Sequence, residues 1–547
     1  MTTMRFTALF AALFAALALT TAHAADSGSP PVRPDAIRAH VEFLADDLLE
    51  GRAAASRGYD IAAAYVEAQF KQAGLTPAGD DGTYLQRVPL LEATAVLPGS
   101  SAEWVIKNRT RTFEYGVDYI PSADFESATS TLTAPLAFAG FGIDAPELNH
   151  NDFATLDLKG RIAVIFTGAP ARFSNEQRAF YSSLSQKLTT LVAHGAVGVI
   201  LVDSTEDAKH VPWDKRVAMS WQPQMRWLDA DGKPHESFPQ LKQRFRFSRE
   251  AAAELFASAQ VSFETASTAA DNGESQAFEL PGLLTLSATT GLRRTESTNV
   301  LAMIPGSDSA LKNEYVIITA HLDQLGRGSA VNGDATFNGA QDNAVGVGIL
   351  LEIARTLQHS GTKLKRSVLF AAVTAEEKGL LGSDYLAQQA KQRKQKIVAA
   401  LNIDMPLPLA PSTDLIALGA DNSTLGNLIR DAAGAEGYSL TDDPAPDEIR
   451  FVRSDQYSFI RLGIPSLVVI CGIHARDRNV DLQALQESFL RDHYHQPSDD
   501  ISVPLDYPSA ASLARINLRV AAAVANATAR PRWHRHDFFA QKFTNAQ

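Results

Sequence analysis

The second half of the chain alternates short apolar runs with helical patterns. Residues 300–303, 316–320, 368–373, 399–403 and 465–470 are continuous apolar stretches of strand length. Between them, 344–357, 383–396 and 423–434 carry apolar residues at helical spacing. Strands apolar on both faces and separated by helices predict an α/β fold with a mainly parallel central sheet flanked by helices. Nearer the start, Val41, Leu44, Leu48, Ala62, Tyr65, Val66 and Phe70 recur at three and four. This predicts helix over 35–75, with Gly74 as its C-cap. Residues 85–135 are rich in Thr, Ser and β-branched residues and read as strands. The segment 126–280 has its own strand–helix–strand order and no cluster of ligand-type residues, so it reads as a separate, noncatalytic module. Within it, polar 204–245, with Trp213, Trp221 and Trp227, reads as a long loop or lid. The resulting division is 25–125 for the first part of the main domain, 126–280 for the smaller inserted module, 281–530 for the rest of the main domain, and 531–547 for a tail read as an appendage.

Composition adds exclusions. With 45% hydrophobic and 20% charged residues the chain is ordinary globular material, and its net charge of −12 argues against nucleic acid as a partner. The N-terminus says more. Arg5 precedes an apolar run over 6–19, and Ala22-His23-Ala24 is a small-x-small cleavage pattern. Residues 1–24 are therefore predicted to be a secretory signal peptide, which sends the protein to the periplasm or outside the cell. The run is shorter than the ~20 residues that span a bilayer, and no other stretch is better, so no stable membrane insertion is expected. Cys471 is the only cysteine, so no intramolecular disulfide forms, and its place at the end of an apolar run suits a buried strand end.

Acids and histidines fall where the predicted strands stop. The run 316–320 leads into His321 and Asp323, 368–373 into Glu376 and Glu377, and 399–403 into Asp404. Asp342 stands just before a predicted helix, and His495 in the loop His493-Tyr-His-Gln-Pro-Ser-Asp-Asp. Singly, each has a bland explanation: a carboxylate ahead of a helix is usually an N-cap, and a Glu pair is usually solvated. Together they are different, because ligands of parallel sheets bind at the carboxyl ends of strands, and so much negative charge in one place needs a cation. Two imidazoles and three carboxylates suit zinc better than magnesium or calcium. Five ligands are too many for one open catalytic ion but suit two Zn2+ ions that share a carboxylate.

His321-Leu-Asp323, Asn338-Gly-Ala-x-Asp342-Asn343, Glu376-Glu377-x-Gly-Leu-x-Gly382-Ser383, Asn402-Ile-Asp404-Met405, Arg453-Ser-Asp455 with Gly463-Ile-Pro465, and Tyr494-His495 resemble the successive motifs of the zinc exopeptidase family, in family order. That family includes dizinc aminopeptidases, glutamate carboxypeptidase II and the noncatalytic transferrin receptor. Upstream, Gly140-Phe-Gly-Ile-Asp-Ala-Pro-Glu-Leu, Asn151-Asp152-Phe and Leu156-Asp-Leu-Lys-Gly160-Arg-Ile resemble the protease-associated domain often inserted in it. The resemblance implies that Asp342 bridges the ions, that His321 and Asp404 complete one site, and that Glu377 and His495 complete the other. It implies Glu376 as the general base that takes a proton from water, and Asp323 as the group that orients His321. Gln324, Gln341 and Val345 depart from residues common in bacterial members, and Tyr457 is the candidate oxyanion tyrosine. The implied activity is an aminopeptidase acting on peptide substrates. A carboxypeptidase or dipeptidase with the same chemistry is the alternative, with Arg450, Arg453 or Arg476 available for a substrate carboxylate. A noncatalytic binding protein and a one-zinc glutaminyl cyclase are more distant readings.

Overall fold

Three apolar runs form the parallel heart of the sheet: Glu314–His321 lies between Ser367–Val373 and Lys396–Asn402, parallel to both. Ser466–Cys471 extends it in parallel, Asp414–Leu418 follows antiparallel, and Ser439–Thr441 forms the edge on that side. All seven residues of Ser367–Val373 are buried, as a strand covered on both faces requires. Helices Val345–His359 and Tyr507–Asn526 pack with Pro34–Leu44 against one face, where most of the large core lies. The computed structural model describes residues 31–544 except Trp221 and Ser275, so the expected signal peptide lies outside the described residues. No described helix is long and apolar enough to cross a membrane.

A second, smaller unit packs around its own parallel strands, Thr129–Ala139, Ile162–Phe166, Gly198–Val202 and Gln243–Phe247. Its core also takes in Ala102, Trp104, Phe113 and Tyr119, so the packed unit begins ahead of residue 126. One long strand, Ala277–Ile304, joins the two units. Its start pairs with Leu136–Ala139 and its end with Val368–Ala372, so the 280/281 boundary falls inside a single continuous strand.

Three local expectations change. The helix over 35–75 is interrupted: Pro34–Leu44 and Arg57–Gln72 flank a tight turn, Asp47–Arg52, started by the Asp46 carboxylate and bent at Gly51, φ 68°. Gly74, at φ 75°, does end the second helix. The expected loop over 204–245 instead contains helices Thr205–His210 and Trp213–Met219 and the strands Gln224–Trp227 and Gln243–Phe247. The arginines alternating along that last strand hid its one buried face. The tail is no loose appendage, because Phe539 is fully buried in the core of the smaller unit.

Candidate metal centre

The register of the sheet sets the site. His321 pairs with Val373 at the carboxyl end of the parallel strands, and the Leu322 amide bonds the Val373 carbonyl at 2.8 Å. Glu376 and Glu377 follow Val373 by a few residues, and Asp404 follows Asn402. Asp342 comes from an irregular helical turn, Ala340–Ala344, that leads into Val345–His359; its peptide bond to Asn343 is cis. Gly339 begins this turn at φ 59°, and a Cβ there would stand 2.0 Å from the Asp342 carbonyl oxygen. Gly346 allows equally close approach, for a Cβ would meet Asn343 Oδ1 at 2.0 Å. The Asn343 amide in turn bonds the Ile403 carbonyl at 2.8 Å, tying the Asp342 turn to the strand end before Asp404.

All five expected ligands meet. His321 Nε2 is 3.1 Å from Asp342 Oδ1 and 3.1 Å from Asp404 Oδ1. His495 Nε2 is 3.2 Å from Asp342 Oδ2 and 3.1 Å from Glu377 Oε2. Asp342 thus presents one oxygen to each histidine–carboxylate pair. Donor atoms of His321, Asp342 and Asp404 lie within 4.8 Å of one another, as do those of Asp342, Glu377 and His495. Buried Glu377 Oε1 has no hydrogen-bond partner. Burial would lower the pKa of both histidines, but the carboxylates outweigh it, raising His495 to about 10 and His321 well above its ordinary value. The site is therefore rich in negative charge and short of cations. Its mixed nitrogen and oxygen donors, with an orphaned carboxylate oxygen, fit a metal such as zinc.

Glu376 is partly buried beside these groups and is not one of the two pairs. Burial raises its pKa well above the ordinary range; His321 opposes this, while Asp404, Glu377 and Asp455 add to it. Asp323 reaches His321 through its backbone carbonyl, 3.1 Å from Nδ1, which keeps Nε2 directed at the cluster. Its carboxylate, expected to orient the imidazole, instead accepts the amides of Glu376 at 3.1 Å and Glu377 at 3.3 Å and so fixes the Glu-Glu turn. Tyr457 packs in the core of the smaller unit, against Phe543 and beneath Arg461, and no described contact joins it to the five ligands. The ring at the site is Tyr494, stacked on His495 at 3.9 Å.

Two supporting residues escaped the sequence reading. The Asp499 carboxylate accepts the amides of Gln341 at 2.9 Å and Asp342 at 3.0 Å. Arg52 is fully buried and donates to the carbonyls of Leu44, Leu322, Asn338 and Gly339, joining the Asp342 turn to the end of the His321 strand. Asp499 stands four residues after His495, which was the only available signal for it. Arg52 had none, because a lone arginine between helical segments looks solvated.

Residues 299–521 match the profile of peptidase family M28. A protein of Pyrenophora teres f. teres named "Probable zinc metalloprotease" is 37% identical over 109 residues, covering 20% of this chain and 22% of its own length. Aminopeptidase Y of Saccharomyces cerevisiae is 31% identical over 198 residues, covering 35% of this chain and 32% of its own. The chain thus spans less than half the length of these curated relatives. Among solved structures, an aminopeptidase from Aneurinibacillus sp. strain AM-1 superposes with a TM-score of 0.52 at 20% identity, over 93% of this chain and 96% of that one. That likeness reaches across both units and concerns the fold. Fold, site geometry and profile agree in what they resemble, and over residues 299–521 this chain is similar to peptidase family M28.

Proposed function

We propose that this chain is an exported, zinc-dependent aminopeptidase that holds two ions. The observation that carries the reading is the Asp342 carboxylate, whose two oxygens face His321 with Asp404 on one side and His495 with Glu377 on the other. When bound, the ions would polarise the scissile carbonyl and make water a nucleophile near neutral pH. Glu376, grouped with His321 and Glu377 at the centre, would take a proton from that water at its carboxylate and return it to the leaving amine. Asp323 keeps Glu376 in place through the backbone of the turn.

The charges nearby support cleavage at the amino end. Arg450 is paired with Asp443, Arg453 with Glu448 at 3.1 Å, and Arg476 lies over the Tyr438 ring at 5.2 Å. Arg450 and Arg453 are thus already engaged by carboxylates, while the carboxylates at the centre suit a free α-ammonium. Met405, Leu409 and Tyr494, packed on Leu407, Phe489 and Val503, form an apolar wall beside Asp404 and His495, which favours release of an apolar residue. Export rests on the leader-like residues 1–24.

The test is metal content and hydrolysis in the chain starting at Ala25. About two zinc ions per chain, cleavage of leucyl anilides but not of N-acetylated peptides, and a fall of roughly 10²–10⁴-fold in kcat for Glu376→Gln are expected. Cleavage confined to N-blocked peptides would transfer the chain to the carboxypeptidases. One zinc without peptide cleavage would end the two-ion reading.

A further inference from the structure

The turn that carries Glu376 and Glu377 is bounded by two non-glycine residues in the left-handed region, Ala375 at φ 52° and Leu380 at φ 61°. Side chains hold that conformation only where their surroundings enforce it. Part of the restraint comes from the peptidase unit. Besides the Asp323 carboxylate on the two glutamate amides, Asn299 accepts the Thr374 amide and donates to the Gly382 carbonyl, both at 2.9 Å. The turn also closes on itself, with the Gly379 and Leu380 amides on the Glu376 carbonyl at 2.8 and 2.9 Å and the Leu381 amide on the Ala375 carbonyl at 3.0 Å. Glu376 is therefore tied to the start of the helix Leu381–Gln392.

The rest of the restraint comes from the smaller unit. Between its strands Gly198–Val202 and Gln243–Phe247 the chain leaves that unit, and Gln224–Trp227 pairs antiparallel with Leu90–Ala93. There Met225 and Trp227 pack in one buried cluster with Ala375 and Leu381, which stand on either side of the glutamate turn. The Trp227 indole, 5% exposed, donates to Asp384 Oδ2 at 2.8 Å, in the first turn of the helix that follows. Arg461 holds the other oxygen, Asp384 Oδ1, at 2.7 Å and reaches back to Glu236 of the smaller unit at 2.9 Å. His235 lies flat on Trp227 with 4.1 Å between ring centres. Next to Glu377, the Lys378 ammonium donates to Gln222 at 3.4 Å.

A ring fixed by a hydrogen bond on one side and a stacked neighbour on the other thus packs on the left-handed residue just before Glu376. We propose that Trp227 is a positioning residue for the reaction: through its bond to Asp384 and its packing on Ala375 and Leu381, the smaller unit keeps the carboxylates of Glu376 and Glu377 aimed at the centre. Trp227 acts through the backbone of the turn and not on the reacting atoms. The inserted unit then contributes to kcat without supplying a ligand. This rests on the aminopeptidase reading, which gives Glu376 its role. Supports of this kind, one step behind the groups that do chemistry, are commonly worth 10–100-fold in activity or metal affinity.

Two substitutions break the Trp227–Asp384 bond from opposite sides in the chain starting at Ala25. Trp227→Phe keeps a ring in the cluster but loses the N–H. Asp384→Asn leaves Oδ1 to Arg461 and sets an NH2 group against the indole. Phe263→Leu, in the core of the smaller unit, is the control for a general loss of stability. Amide hydrogen exchange of the metal-free protein, read by mass spectrometry, needs neither zinc nor turnover. Residues 376–381 should exchange roughly tenfold faster in the first two variants and at the unaltered rate in Phe263→Leu. Hydrolysis of leucyl anilide should show kcat lower by roughly 10–100-fold in the first two variants, with KM within about twofold of the unaltered chain. Unaltered exchange in both variants overturns the proposal, and so does faster exchange with unaltered kcat. An equal fall of kcat in Phe263→Leu would make the effect one of stability and overturn it as well. Faster exchange of the turn in a protein that hydrolyses no peptide even when unaltered would sink the aminopeptidase reading and leave the hold of Trp227 on the turn standing.

Discussion

Each oxygen of the Asp499 carboxylate accepts one backbone amide of the turn that presents Asp342. An asparagine there keeps one acceptor and sets an NH2 group against the other amide, leaving a buried donor unsatisfied. Asp499→Asn should therefore cost about 1–3 kcal/mol of stability and weaken metal binding by roughly 10–100-fold, although Asp499 touches no expected metal position. Zinc competition against a chromophoric chelator measures the second quantity, and an unchanged affinity would show that Arg52 holds the turn alone. The same contrast explains what the sequence discloses at this scale. His321, Glu377 and Asp404 are legible because each interrupts an apolar run at a strand end, where a charged residue needs a reason. Asp499 and Arg52 serve backbone groups, and nothing in a sequence marks which surface-type residue will be buried against carbonyls and amides. The role expected of the Asp323 carboxylate fails for a related reason, since residue type cannot say whether a side chain or its own carbonyl reaches the imidazole.

Helix Pro34–Leu44 carries a titration that bears on the whole peptidase unit. His40 is buried between Tyr65, whose hydroxyl lies 2.8 Å from Nδ1, and the helix Val345–His359 that bears Glu352. Burial lowers its pKa from 6.5 to about 4; Glu352 opposes the shift, and Arg33 and Arg355 support it. The unfolded chain takes up a proton between those two values and the folded chain does not, so stability is unaffected above pH 6.5 and declines as pH falls toward 4. A shift of that size is worth about 3 kcal/mol at the acid end. Urea unfolding of metal-free His40→Gln should show this slope reduced between pH 6.5 and 4, and a slope equal to that of the unaltered chain would mean that His40 is protonated in the folded state. Element types were legible wherever periodicity ran unbroken, as in the parallel strands. They were not where local capping overrode it: the Asp46 carboxylate and Gly51 cut the expected long helix into two, and the turn between them is what delivers Arg52 to the centre.

At the scale of the molecule, the residues after 530 join the two units. The Trp533 indole donates to the Gly463 carbonyl at 2.8 Å and the His534 amide to the Asn422 carbonyl at 2.8 Å, both on the peptidase side. Lys542 pairs with Glu147 and Tyr181 of the smaller unit. Between these anchors, Phe539 packs on Phe451, and Phe543 reaches both Phe180 and Tyr457. Phe451 and Tyr457 flank the segment that carries Ser454 and Gln456, which accept the Asn402 amide two residues before Asp404, so the tail also braces the support behind Asp404. A sequence reading could count the aromatics here but not their partners, which lie far away in the chain, and that is why the tail read as an appendage. Phe539→Ala removes a fully buried ring where two units meet, and should lower stability by about 3–5 kcal/mol. All five expected ligands come from the peptidase unit, so zinc content should stay at the unaltered value while trypsin cuts at Arg450 or Arg453 become faster. Loss of zinc in step with the loss of stability would instead mean that the tail supports the ligand cluster itself. An unchanged cutting rate with normal zinc would mean that the strand Ala277–Ile304 is sufficient to hold the units together.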